Sequence, residues 1–138
     1  MRPFIISLLA VALVLVADGA ELGALKDKTL VVWVAPANLT QRGGSALTIE
    51  DMRSHFDGIV FGELAAGKWM AGSDSFSRTQ KRQDDFPVET ADAKTFVQVA
   101  MVYRGRQVTA YRNGIQYSAH AMANAPQQYG AQGMVVIG

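Results

Sequence analysis

The sequence predicts an all-β antiparallel sandwich, on three observations. After residue 25 the apolar segments are short and rich in Val, Ile, Phe and Tyr. They are separated by Gly, Asn and Asp at the spacing of strands and turns, and none keeps a helical period. An Asn-Gly pair between two β-rich runs marks a hairpin directly, because both residues accept the positive φ of a type I′ turn. The remaining composition narrows the class. At 138 residues, 49% hydrophobic and 18% charged, the chain has the length of one domain with a sizeable core. Thirteen Lys and Arg against 12 Asp and Glu leave a net charge of +1, which argues against a nucleic-acid binder. With no cysteine, disulfides, thiolate zinc sites and cysteine nucleophiles are all excluded.

The chain opens on Met1-Arg2, and Phe4 to Val16 is then apolar except for Ser7. Thirteen positions are short for a spanning helix but match the apolar region of a secretory signal peptide. Residues 1–20 are therefore expected to be a helical leader with cleavage after Gly19 or Ala20, and the protein to be secreted or periplasmic. A membrane contact is expected only if the leader stays uncleaved.

Thr29 to Val34 is apolar on both faces and predicts a central, doubly covered strand with Trp33 in the core, stopped at Pro36. Ala46 to Glu50 alternates, with Leu47 and Ile49 inward. Phe56 to Glu63 predicts a third strand whose glycines mark close packing or a bulge, and Lys68 to Ala71 a fourth. Residues 72–93 are polar and without period, a connection long enough to be either functional or mobile. Arg78, Lys81 and Arg82 against Asp74, Asp84, Asp85, Glu89 and Asp92 leave it at −2, too little to define a partner. Thr95–Tyr103, Arg106–Arg112 and Ile115–Ala119, joined through Arg104-Gly105 and Asn113-Gly114, predict a three-stranded meander with Val97, Val99, Met101 and Tyr103 on one face. Met134 to Ile137 is the last strand.

Catalytic signatures are sparse. A glycosidase needs two facing carboxylates, and no predicted strand carries such a pair on one face. Glu89, Asp92, Asp84 and Asp85 are expected to solvate the loop. His55 and His120 are 65 positions apart without further ligands at metal spacing and are expected on surface loops. Ser73-Asp74-Ser75 offers oxygens to calcium, but without an EF-hand pattern around it. No other cofactor is suggested. Trp69 is either an aromatic platform for a sugar ring or a wedge closing the core. Trp69, Asp74 and Arg78 are the candidate ligand-binding residues, with no catalytic residue assigned.

Leu30-Val-Val-Trp-Val-Ala-Pro36, Phe56-Asp-Gly-Ile-Val-Phe61 and above all the run from Phe96 to Tyr117, with its Tyr-Arg-Asn-Gly turn, carry a resemblance. The chain from about residue 25 to 138 resembles the concanavalin A-like lectin/glucanase superfamily, in particular its laminin G-like bacterial modules. The stretch from Lys68 to Asp74 and on to Arg78-Thr79 is also similar to exported bacterial proteins in which such a module precedes a β-fructosidase domain of glycoside hydrolase family 32. The resemblance implies a jelly-roll sandwich over 25–138, with further strands beyond the Val-Val-Ile-Gly segment, so that the domain is expected to be incomplete at its C-terminus. It also implies a non-catalytic recognition or accessory module of an exported bacterial protein, with carbohydrate as partner. The alternatives are the front of a multidomain glycoside hydrolase, or a structural or protein-contact spacer. The Glu-x-Asp-x-x-Glu strand of the glucanases is absent, and no lectin calcium or sugar ligand maps onto a residue here.

Overall fold

The computed structural model describes residues 11–12 and 25–138. Among the described residues nine strands follow one another: β1 (Val11–Ala12), β2 (Lys28–Val34), β3 (Ser45–Glu50), β4 (Phe56–Phe61), β5 (Trp69–Ser73), β6 (Val97–Arg104), β7 (Gln107–Arg112), β8 (Ile115–Ala121) and β9 (Met134–Ile137). They form two antiparallel sheets, one ordered β1-β2-β6-β7-β8 and the other β5-β4-β3-β9. Face to face, β2 lies over β3, β6 over β4 and β7 over β5. Apart from a single 3-10 turn at Asp74–Phe76, no helix occurs among the described residues, so none there is long and apolar enough to cross a membrane. The jelly-roll sandwich expected from the sequence is the fold observed. Most of the expected leader lies outside the described residues. At Val11–Ala12 the backbone is extended rather than helical, because it pairs with Trp33 and Val32 at the edge of β2.

The core is filled by the inward faces of both sheets. Leu30, Val32 and Val34 of β2, Val97, Val99, Met101 and Tyr103 of β6, and Val108 and Ala110 of β7 meet Leu47, Ile49, Ile59 and Phe61 of the opposite sheet. The period-2 alternation of side chains makes this possible. It also corrects one expectation. Strand β2 is not covered on both sides: Trp33 points outward and is 38% exposed, because it shares parity with Thr29 and Val31 rather than with Leu30. The buried indole is that of Trp69, at 2% exposure.

Two connections prepare the site. The loop from Ala35 to Gly44 folds back over the end of β4. Arg42 fastens it there, its Nε donating to Gly62 O (2.8 Å) and a terminal nitrogen to Glu63 O (3.1 Å). Gly62, at φ 74°, has no room for a side chain, since a Cβ would collide with the Gln41 carbonyl. The long connection after β5 is not mobile padding. It lies along the outer edge of β5, whose five residues are all buried, and its own Arg78, Thr79, Gln83, Glu89 and Ala91 are buried too.

The meander matches its prediction. Asn113 (φ 49°) and Gly114 (φ 77°) turn β7 into β8, with Arg112 opposite Ile115. No atom lies within 4 Å of where a Gly114 Cβ would sit, so any penalty there is conformational. Gly114→Val should cost more than the roughly 1–2 kcal/mol of left-handed backbone in ordinary residues, because it is β-branched, while Gly114→Asn should be nearly neutral. Urea unfolding of the two variants checks this; equal midpoints would contradict the turn assignment.

Candidate functional site

At the end of the sandwich where β2 stops and β3 begins, the sheets splay around a cleft of about 740 Å³. Its volume falls within the range of small-ligand sites. Phe61 and Trp69 form the floor, Val34 and Pro36 one wall, and Asn38 and Gln41 the polar part of the rim. The wall exists because Pro36 cannot continue β2 and because Arg42 holds the loop down. The Asn38 side-chain Oδ1 accepts from the Thr40 N–H (2.8 Å) and hydroxyl (2.7 Å), which turns the loop back and fixes the side-chain amide at the mouth.

The floor is held by a buried carboxylate. Trp69 packs against Phe61 with ring centroids 4.6 Å apart, and its Nε1–H donates to Glu89 Oε2 at 2.8 Å. Glu89 in turn receives Arg112 in bidentate fashion, Nε to Oε2 at 2.8 Å and a terminal nitrogen to Oε1 at 2.7 Å, together with the N–H groups of Thr90 and Ala91. Burial works against this carboxylate, but the bonds from Arg112, Trp69 and Ala91 outweigh it and bring its pKa from the usual 4.5 to about 2. Tyr117 completes the arrangement, accepting the Trp69 backbone N–H on its hydroxyl and donating to Pro87 O. Glu89, expected to solvate the loop, is thus a fully buried anchor. The loop folds inward there because Arg112, half-covered on β7, needs an anion.

A second polar cluster lies between the sheets beyond the other end of β5. Asp57, with no exposed surface, places Oδ2 2.8 Å from Lys28 Nζ and accepts Arg78 Nε on Oδ1 at 2.8 Å. The Lys28 ammonium sits over the rings of Tyr103 and Tyr129, 4.4 and 5.0 Å from their centroids. Burial lowers the Lys28 pKa, with Asp57 only partly restoring it. Arg78 also donates to Phe56 O, Ser77 Oγ and the Asp74 carboxylate. Burial opposes its charge, but Asp57 and Asp74 raise its pKa on balance.

The three residues proposed from the sequence as ligand-binding are therefore not brought together. Trp69 stands at the start of β5, in the cleft floor. Asp74 and Arg78 stand past its end, about 15 Å away by strand rise, where they pair with each other. Arg78 spends four of its five guanidinium N–H donors on internal partners and is buried. Trp69, 2% exposed, closes the core as a wedge and lines the cleft floor.

The calcium expectation meets the same obstacle. Ser73 Oγ bonds Thr79 Oγ1 and the Arg78 N–H, and Asp74 faces the Arg78 guanidinium, a positive charge where a cation would have to sit. These oxygens do not fit a calcium ion. Among the described residues no group of three or more His, Asp or Glu is placed to hold a metal. His55 bonds Asp51 (3.0 Å), and His120 lies on β8 rather than on a loop, its Nε2 3.0 Å from Arg78 O. Asp57 and Asp74 are the carboxylates that share a partner, and Asp57 is sealed from any substrate.

Two tests follow from this wiring. Asp57→Asn leaves Lys28 and Arg78 buried without their shared anion and should destabilise the fold by about 3–5 kcal/mol, read from urea unfolding; a loss below about 1 kcal/mol would show the cluster to be unimportant. Glu89, with its folded pKa depressed, contributes stability that is complete above the unfolded value near 4.5 and is lost as pH falls toward 2. A stability profile over that window should be flatter in Glu89→Gln than in the unchanged chain, and parallel profiles would refute the assignment.

Comparison with known proteins agrees with the architecture. No curated protein matches the chain. A family model described as concanavalin A-like lectin/glucanases superfamily, laminin G type, matches residues 12–138, which takes in both sheets, the end cleft and the two polar clusters. The chain belongs to the concanavalin A-like lectin/glucanases superfamily, as a laminin G-like module.

Proposed function

We propose that this chain is a non-catalytic recognition module of an exported bacterial protein and that its ligand is a carbohydrate, taken in the cleft between the ends of β2, β3, β4 and β5. The observation that carries the reading is the cleft's chemistry: an apolar floor with Phe61 and Trp69 beneath a rim bearing the side-chain amides of Asn38 and Gln41. A sugar ring has matching faces, apolar C–H groups on one side and hydroxyls at its edge. With Asn38 Oδ1 held by Thr40 and Gln41 Nε2 turned to Gly43 O, Asn38 offers its amide N–H groups and Gln41 its carbonyl oxygen to those hydroxyls, while the ring's C–H face packs on the apolar lining. Membership of a lectin-like superfamily supports the ligand class, and the basic-then-apolar start of the sequence supports export. The likeness of Lys68–Thr79 to modules found ahead of β-fructosidase domains favours a second, compatible reading, in which the module serves a larger glycoside hydrolase.

Glycan-array screening followed by calorimetric titration tests the proposal. A bound glycan should lose affinity roughly three- to tenfold on Asn38→Asp, which keeps Oδ1 for Thr40 and removes the amide donor, or on Gln41→Ala, the worth of one hydrogen bond each, while the melting temperature changes little. Absence of any glycan ligand, or binding indifferent to both rim variants, would leave the spacer reading in its place.

A further inference from the structure

The cleft carries no charge of its own. Among the described residues none of the side chains lining it is ionisable. The cations beside those residues are turned elsewhere. Arg42, next to Gln41, is directed to the carbonyls of Gly62 and Glu63. Lys68, next to Trp69, donates to those of Gln83 (2.6 Å) and Asp84 (3.0 Å). Glu89, behind the floor, has its charge matched by Arg112. An anion entering here would leave water without meeting a counter-charge, which is a costly transfer.

Most polar groups of the lining side chains are already engaged. The Trp69 indole N–H donates to Glu89, and Ser45 Oγ bonds Thr48 Oγ1. Asn38 Oδ1 is taken by Thr40, and the Gln41 amide nitrogen is turned to Gly43 O at 3.3 Å. The rim amides therefore present complementary functions, N–H groups on Asn38 and a carbonyl oxygen on Gln41. One donor beside one acceptor matches two hydroxyls of a sugar. Elsewhere the side chains offer carbon, from Val34, Pro36, Ala37, Ala46, Phe61 and Trp69. A further hydroxyl pressed against them gives up its water without a replacement partner.

We infer that the cleft selects an uncharged sugar with an apolar edge, of the 6-deoxyhexose kind, over hexuronic and sulfated sugars. The inference rests on the carbohydrate reading and narrows it. In a 6-deoxyhexose a methyl group stands where a hexose carries its primary hydroxyl. Two ring hydroxyls can then meet the rim while the methyl edge lies on the apolar wall. A hexose brings one more hydroxyl to that wall and comes second. A uronate brings a carboxylate to the same place and comes last.

Three methyl glycosides of one ring configuration, differing only in a methyl, hydroxymethyl or carboxylate group at C6, provide the test. The configuration is that of the sugar found on the glycan array, and the chain is titrated with each by NMR. The 6-deoxy sugar should bind about three- to tenfold more tightly than the hexose, and the uronate at least about tenfold more weakly. Affinity for the two neutral sugars should be the same at low and high salt, since no charge is paired. Ala37→Lys, which sets a cation on the wall, should raise the affinity for the uronate. A uronate that binds as well as the hexose overturns the inference and leaves the carbohydrate reading standing. So does a hexose that matches the 6-deoxy sugar, or a uronate indifferent to Ala37→Lys. Failure of every sugar to bind removes the carbohydrate reading and this inference together.

Discussion

The sandwich depends on one enclosed carboxylate. Asp57 of β4 pairs with Lys28 of the opposite sheet and with Arg78 of the long connection, so a single side chain ties together both layers and the segment that wraps them. Taking three charges out of water is expensive, and such a cluster adds little to net stability compared with an apolar replacement. What it provides is geometric. An unpaired charge in the core is costly, so the structure admits only arrangements in which all three meet. The tyrosine rings flanking the Lys28 ammonium add an attraction that an aliphatic wall would lack.

Glu89 performs the corresponding task at the opposite end. Its bonds to Trp69 and Arg112 connect the floor of the cleft on one sheet to β7 on the other. The cleft is thereby shaped from outside the residues that line it. Both anchors involve the same connection, Arg78 near its start and Glu89 near its end, and between them they convert a polar stretch into the cover of β5.

Periodicity made the strands and the meander legible, because side-chain parity is decided locally. The same parity carried information about the buried charges: Asp57 shares its face with Ile59 and Phe61, and Lys28 with Leu30 and Val32, which placed both on core faces. At Trp33 that alternation, and not hydrophobicity, decides the side chain's direction. Glu89 had no such signal. Its burial depends on Arg112, 23 positions away, through loop geometry that no local pattern encodes. Of the candidate binding residues only Trp69 reached the cleft, since spacing along a strand does not reveal which of its ends opens to solvent. Nothing local marks Asn38 and Gln41, because an ordinary polar turn looks the same whether or not it borders a cavity.

The long connection has one further consequence. Its two anchors face different layers, Arg78 bonding Asp57 of β4 and Glu89 bonding Arg112 of β7. Lys81 and Arg82, between them, are exposed. A protease specific for basic residues can reach scissile bonds there, as it can at the exposed Arg53, Lys94, Arg104 and Arg106, while Lys28 and Arg78 are shielded. A chain nicked at that point would keep each stump fastened to its own sheet, with the core and the floor of the cleft intact. The connection thus divides the molecule into two complementary fragments, residues before and after the nick, that hold each other without a covalent link.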